Sequence, residues 1–238
     1  MLKAAFFDLD GTLQDLDTPF HAAVAGVFGP LCIAAQIPVG ELESALDAVW
    51  PDLWSRVLAG TVTPEALRGE WFRRALPAAG IAVDDEAVEP LAQRYEDAFE
   101  GGLRLYPDVL PALTALRRLR PGLVHGLITN GWAVRQRSRA AAVGLGASFD
   151  VWVISQEVGS AKPEARIFET ALEQARVLAA EAVMVGDDPR TDILGAKAMG
   201  LHALWVNRGG RAWPGHIGCV PDGVAPDLSG IVTLIRNL

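Results

Sequence analysis

The sequence predicts an α/β fold: a mostly parallel sheet core with helices on both faces, interrupted by an inserted all-α helical bundle. Three observations predict it. A short apolar run, Ala4-Ala5-Phe6-Phe7, opens the chain and leads into two aspartates, Asp8 and Asp10. From Tyr106 onward, apolar runs of strand length alternate with stretches of helical period. Between these regions, over about 18–102, the apolar residues fall at helical spacing and no strand pattern is evident.

The elements follow in order. The run at Ala4–Phe7 suits a strand buried on both faces. Gln14-Asp15-Leu16-Asp17 is a short polar stretch, and Thr18-Pro19 marks a helix start. The stretch 21–36 is Ala-rich. Leu42, Ala45, Leu46 and Val49 share a helical face that Pro51 is expected to end or restart. Thr63-Pro64 opens a third helix striped by Leu67, Trp71 and Ala75. Asp84 or Asp85 caps a fourth, striped by Val88, Leu91, Tyr95 and Phe99. Four such helices in succession suggest a small bundle, with aromatic stripes as its core. After it, helices are expected over 108–119, 132–143, 164–175, 189–200 and 229–238. Strands are expected over 123–128, 151–155, 182–185 and 202–206, and the Gly- and Pro-rich stretch 208–227 reads as a loop. Alternating strands and helices imply right-handed crossovers.

Composition narrows the function classes. Among 238 residues half are hydrophobic, enough for a sizeable core, and the formal net charge is −8. An acidic surface argues against nucleic-acid polymers as partners, and Arg135, Arg137 and Arg139 read as solvated helix positions. Cys32 and Cys219 lack metal-ligand spacing, which favours a reduced, cytoplasmic protein. The opening strand does not resemble a secretory signal, and no apolar run is expected to span a bilayer.

Polar groups recur at the predicted strand ends, where open α/β sheets bind ligands. Asp8 and Asp10 point to the same side of an extended chain, and their repulsion favours an intervening cation such as Mg²⁺. Thr129, Asn130 and Gly131 follow a strand and open a helix, whose N-terminus favours a phosphate, although such a cluster also serves as an ordinary turn and cap. Lys162 precedes Pro163 in a loop and by itself reads as a surface lysine. Gly186-Asp187-Asp188-Pro189-Arg190-Thr191-Asp192 follows another strand; its acids suit a metal or a helix cap, and Asp188 suits the cap.

Taken together, FFDLDGTL, LITNG, the lysine of SAKPEARIF and VMVGDDPRTD make the chain resemble the haloacid dehalogenase (HAD) superfamily over essentially its whole length. The resemblance implies a Rossmann-like core of residues 1–15 and 104–238, and a helical cap of residues 16–103 inserted after the first strand. It implies Asp8 as nucleophile of an aspartyl-phosphate mechanism and Asp10 as general acid and base. Thr129, with Asn130, Gly131 and nearby backbone N–H groups, would bind the phosphoryl group, and Lys162 would offset charge on it and on Asp8. Mg²⁺ would be held by Asp8, the Asp10 backbone carbonyl and Asp187, with Asp188 and Asp192 behind them. Asp188 departs from the small polar residue common in relatives. The cap is expected to move through a hinge at Gly101-Gly102.

The implied activity is hydrolysis of small phosphate monoesters by a monomer or homodimer. Nucleoside monophosphates lead as substrates, with Trp132, Trp50, Trp54 and Trp71 as candidate surfaces for a base. Phosphoglycolate or sugar phosphates are the alternative. A phosphomutase, a 2-haloacid dehalogenase and a non-catalytic binding protein are competing readings. A dehalogenase needs neither Asp10 nor the Gly186-Asp187 pair, and a binding protein has no need of all four of Asp8, Asp10, Lys162 and Asp187.

Overall fold

Strand β1 (Ala4–Phe7) is buried at every position because its two faces supply two different cores. Ala5 and Phe7 pack into one cluster with Val109, Leu113 and Leu116 of helix α5 (Val109–Leu119) and Ile231 and Ile235 of helix α10 (Leu228–Arg236). Ala4 and Phe6 pack into the other with Ile167 and Phe168 of helix α8 (Ala165–Ala175) and Ala196 of the short helix α9 (Gly195–Ala198). This is the period-two alternation of a strand covered on both faces by helices. The computed structural model describes residues 1–238, the side chains of Pro64 and Glu65 excepted.

The chain divides into two units, Met1–Asp15 with Arg104–Leu238, and Leu16–Leu103. The first holds a six-stranded parallel sheet in the order β5-β4-β1-β6-β7-β8. Here β4 is Val124–Thr129, β5 Val151–Ile154, β6 Ala182–Gly186, β7 His202–Val206 and β8 Gly223–Ala225. Phe7 lies opposite Leu127 of β4 and Val185 of β6. The carboxyl end of β1 therefore sits between those of β4 and β6, where the order of connection reverses and a crevice opens. Arg208, just past β7, donates to both carboxylate oxygens of Asp108, at 3.1 and 3.0 Å, and to the Thr12 carbonyl at 3.0 Å. That ties the turn after β1 to the start of α5.

Strand β8 was expected to be loop. Three residues between two prolines carry too short an apolar signal, and only Ala225 of the three is buried. A second difference is the antiparallel pair of β2 (Gln14–Asp15) with β3 (Arg104–Leu105), two residues each, where polar coil was expected. The stretch after Pro189 is a π-helical turn, Pro189–Leu194, before α9, and a four-residue helix α7 (Ser155–Val158) follows β5 directly.

The second unit is four helices: α1 (Asp17–Ala35), α2 (Val39–Leu58), α3 (Pro64–Ala78) and α4 (Asp85–Gly102). Pro51 does not end α2. Continuing a helix past an internal proline costs about 3 kcal/mol. Leu53 and Val57 beyond it are buried, and each full burial contributes about 1.5–3 kcal/mol, so packing wins. Gly101 and Gly102 complete the last turn of α4, where a side chain at Gly102 would crowd Pro19. Helix α1, at 19 residues and a mean hydropathy of 1.4, is long and apolar enough to cross a membrane, contrary to the expectation from sequence. Its Ala23, Val24, Val27, Phe28 and Cys32 are buried in the bundle, with Phe28 stacked on Phe72. Trp71 packs against Phe20, Trp50, Phe72 and Tyr95 and donates its indole N–H to the Leu46 carbonyl at 2.9 Å. Trp50 also stacks on Trp54.

Candidate active site

The ladder between β1 and β6 runs one residue past β1, because the Asp8 N–H donates to the Val185 carbonyl at 2.9 Å. Asp8 is thereby fixed at the crevice and almost wholly buried. Lys162 Nζ donates to Asp8 Oδ1 at 2.6 Å and to Asp192 Oδ1 at 2.7 Å. Lys162 is only 2% exposed, so it is no surface lysine. Its loop is pinned by Asn130, whose Oδ1 accepts the Lys162 N–H at 2.8 Å while Nδ2 donates to the Lys162 carbonyl at 3.0 Å. The Asn130 side chain thus serves the lysine and is not presented to a phosphate.

Asp192 also accepts the Asp188 N–H at 3.1 Å, and its carboxylate fills the space a side chain at Gly186 would need. Asp187 comes next to it. Its Oδ1 accepts from the Thr12 hydroxyl at 3.1 Å, and its carbonyl accepts from Trp205 Nε1 at 2.9 Å and Arg211 Nη2 at 3.0 Å. Gly11 has φ +85°, and a Cβ there would lie 2.8 Å from an Asp187 oxygen. Both facts demand glycine in the turn between Asp10 and Thr12. Asp188 is not part of the cluster: its Oδ1 caps the following turn, accepting the N–H groups of Arg190 and Thr191 at 2.7 Å each.

Asp10 takes a separate direction. Its Oδ2 accepts from Gln136 Nε2 at 2.8 Å, and Arg139 Nη1 lies 3.9 Å away. Thr129, itself buried, accepts from the same Gln136 nitrogen at 2.7 Å. Gly131 holds φ +135°, and its N–H donates to the Ser155 hydroxyl at 2.9 Å; the Ala133 N–H donates to Gln156 Oε1 at 2.8 Å. Two N–H groups at the start of helix α6 (Ala133–Ala142) are therefore already spent within the protein. The Gly131 N–H, expected to face a phosphate, is here donated to Ser155.

One oxygen from each of Asp8, Asp187 and Asp192 lies within 4.8 Å of the others. Burial pushes the Asp187 carboxyl up to about 7, with Asp192 adding to the effect. Burial likewise holds Asp8 and Asp192 above the usual carboxylate range, against the pull of Lys162. Burial alone would lower the Lys162 ammonium, but Asp192 and Asp8 outweigh it and hold it above its ordinary value. Fully ionised, the buried Asp8 and Asp192 and the half-buried Asp187 carry three negative charges against one ammonium, which leaves two uncompensated. A divalent cation with a preference for oxygen fits that deficit and that donor set.

Sequence reasoning assigned no role to Thr12, Gln136, Arg139 or Ser155. Arg139 was expected in solvent, yet its side chain is only 12% exposed beside Asp10. Gln136, Arg139 and Ala140 lie three and four apart on one face of α6, and Gln136 and Ala140 are buried. A polar residue at a core-facing position was the available signal.

A family model described as haloacid dehalogenase-like hydrolase matches residues 2–200. A phosphoserine phosphatase of Thermus thermophilus is 36% identical over 236 residues, covering 88% of this chain and 90% of its own. A glyceraldehyde 3-phosphate phosphatase of Methanopyrus kandleri is 31% identical over 211 residues, covering 88% and 85%. A pyrimidine 5'-nucleotidase of Escherichia coli is 38% identical over 141 residues, covering 58% and 59%. Among solved structures, a HAD-hydrolase of Bacillus subtilis bound to magnesium superposes with a TM-score of 0.74 at 23% identity, covering 100% of this chain and 99% of that one. A 2-haloacid dehalogenase of Pseudomonas syringae superposes with a TM-score of 0.66 at 30% identity, with the same coverage.

Proposed function

The chain belongs to the haloacid dehalogenase-like hydrolases and is a phosphoric monoester hydrolase, and from that premise we propose that it is a Mg²⁺-dependent phosphatase with Asp8 as its nucleophile. The observation that carries the reading is the division between Asp8 and Asp10. Two residues apart, they have different partners: Asp8 has the ammonium of Lys162 and the acid cluster, Asp10 the amide of Gln136 with the Arg139 guanidinium 3.9 Å away. Carboxylates in such different surroundings suit different tasks.

In this reading the Asp8 carboxylate attacks phosphorus, and the bond to the ester oxygen breaks. Asp10 gives its proton to the departing alkoxide, so an alcohol leaves and an aspartyl-phosphate remains on Asp8. Asp10, now a carboxylate, takes a proton from water as that water attacks phosphorus. The Asp8–phosphorus bond breaks, inorganic phosphate departs and both acids are restored. Lys162 compensates charge on Asp8 throughout, and Asp192 holds the lysine from behind. Asp8 and Asp187, with the Asp10 backbone carbonyl, would hold Mg²⁺. Bound there, the ion supplies positive charge to the phosphoryl oxygens, the main requirement of phosphoryl transfer. Thr129 keeps its place near Asp10 through Gln136.

For the substrate, we favour a short phosphate monoester over a nucleoside monophosphate. The two relatives above that match most of the chain are described as acting on three-carbon phosphates, whereas the nucleotidase matches 58% of it. Trp71 spends its ring on the core of its own unit. The test is phosphate release from phosphoserine, glyceraldehyde 3-phosphate, phosphoglycolate, hexose phosphates and nucleoside monophosphates at equal concentration, in EDTA and then with Mg²⁺. A three-carbon ester should lead in kcat/KM. A leading nucleoside monophosphate overturns the substrate, full activity in EDTA overturns the metal, and halide release from 2-chloropropionate without phosphate release overturns the reaction.

A further inference from the structure

We propose that Gln136 is the positioning residue that aims Asp10, fixing Oδ1 as the oxygen that exchanges the proton with the leaving group and the attacking water. The inference rests on the reading of Asp10 as acid and base given above.

The amide nitrogen of Gln136 has three neighbours: Asp10 Oδ2 at 2.8 Å, Thr129 Oγ1 at 2.7 Å and the Asn130 carbonyl at 3.0 Å. A carboxylate and a carbonyl oxygen are acceptors only, so the atom facing them is the N–H₂ end of the side chain and not its oxygen. Gln136 is 2% exposed and its helix is anchored on either side, the Gln136 N–H donating to the Trp132 carbonyl at 2.9 Å and Ala140 being wholly buried. The side chain therefore has little freedom. One buried amide ties the turn after β1 to the end of β4, two segments that the chain leaves far apart in sequence.

The consequence for Asp10 is directional. An N–H pointing at Oδ2 occupies a lone pair there and holds that oxygen in place. Asp10 Oδ1 is buried and, among the described residues, has no hydrogen-bond partner. An unpartnered buried oxygen is costly, about 1–3 kcal/mol, and is the kind of exception found at functional sites. Gln136 therefore sets the plane of the carboxyl group and leaves Oδ1 as the oxygen without a protein partner. Without the amide, Asp10 is left to rotate about its side-chain torsions, with the Arg139 guanidinium 3.9 Å from Oδ2 as its remaining charged neighbour.

The test compares wild type with Gln136→Met, which keeps length and removes the donor, and Gln136→Glu, which keeps shape and removes the N–H. Turnover with Mg²⁺ is measured on nitrophenyl phosphate and on phosphoserine, and acid-quenched protein is assayed for aspartyl-phosphate. General acid–base catalysis contributes about 10²–10⁴-fold, so a misaimed Asp10 should lower kcat on phosphoserine by about 10–100-fold, with KM within about threefold. Formation of the aspartyl-phosphate from nitrophenyl phosphate, which needs little protonation, should fall less, and its hydrolysis should slow, so that the intermediate accumulates. Equal loss on both esters with no accumulation would mean that Gln136 is structural only. A raised KM with kcat kept would place it on the substrate instead. Either result overturns the proposal, as does an unchanged enzyme. If Gln136→Met fails to fold, the same readings are taken on Gln136→Glu. Wild type with no Mg²⁺-dependent phosphate release would refute the underlying reading, a result distinct from any of these.

Discussion

Lys162 Nζ lies 2.6 Å from Asp8 Oδ1, although 154 positions separate the two residues in the chain. The same ammonium meets Asp192 at 2.7 Å, and all three groups are buried. Removing one partner of a buried pair leaves an uncompensated charge and costs about 3–5 kcal/mol. Lys162→Met should therefore destabilise the fold by about that amount in denaturant titration. Lys162→Met combined with Asp192→Asn should recover part of the loss, because one stranded carboxylate is gone. A double variant no more stable than the single one would mean that the pair is not coupled.

Activity should fall further than stability alone explains. Loss of one preorganised charge partner at a reacting centre typically costs about 10²–10³ in kcat. Lys162→Met, assayed where it is folded, should show a fall of that order on nitrophenyl phosphate. Retention of more than about a tenth of wild-type kcat, under ~1.4 kcal/mol of barrier, would remove Lys162 from the mechanism.

The acid cluster predicts stabilisation by metal. A ligand that binds only the folded state adds about 2.7 kcal/mol at a hundred times its Kd. For a chain of 238 residues each kcal/mol moves Tm by about 2–4 °C, so saturating Mg²⁺ should raise Tm by about 5–10 °C over an EDTA sample. Asp187→Asn should abolish most of that shift. An equal shift in that variant would place the cation elsewhere.

Much of this was legible in the sequence, and the failures have physical reasons. Asp8, Lys162, Asp187 and Asp192 stand where strand ends and loops put them, and β1, β4, β6 and β7 read directly from their apolar runs. Gln136 was not legible because helix periodicity marks a face without saying what lies across it. Arg139 on the same face was taken for solvent because arginine usually is. The Gly131 N–H looked available, yet Ser155, brought in by the β4–β5 pairing, claims it. Pro51 was misread because its local penalty is smaller than the burial on either side of it.

His125, in the interior of the sheet, supplies a test unrelated to catalysis. Burial, with Arg117 adding and Asp150 opposing, lowers its imidazole to about 4. Its ring faces Phe7, and neither ring nitrogen has a partner among the described residues. The unfolded chain titrates near 6.5, so between about 6.5 and 4 it binds more protons at this site than the folded chain does. Stability from neutral His125 is thus fully present above pH 6.5 and is lost as pH falls toward 4, by about 3 kcal/mol in all. His125→Leu should lose less stability than wild type over that window, measured by urea unfolding at pH 7 and pH 4.5. Parallel losses in the two proteins would show that His125 does not titrate on unfolding.

The most direct measurement of the central claim is the mass of the enzyme quenched in acid during turnover of nitrophenyl phosphate with Mg²⁺. The account predicts one phosphoryl group on the peptide containing Asp8, absent in EDTA and absent in Asp8→Asn, whose amide is a poor nucleophile. A phosphoryl group on another residue, or an Asp8→Asn variant that turns over like wild type, would contradict it.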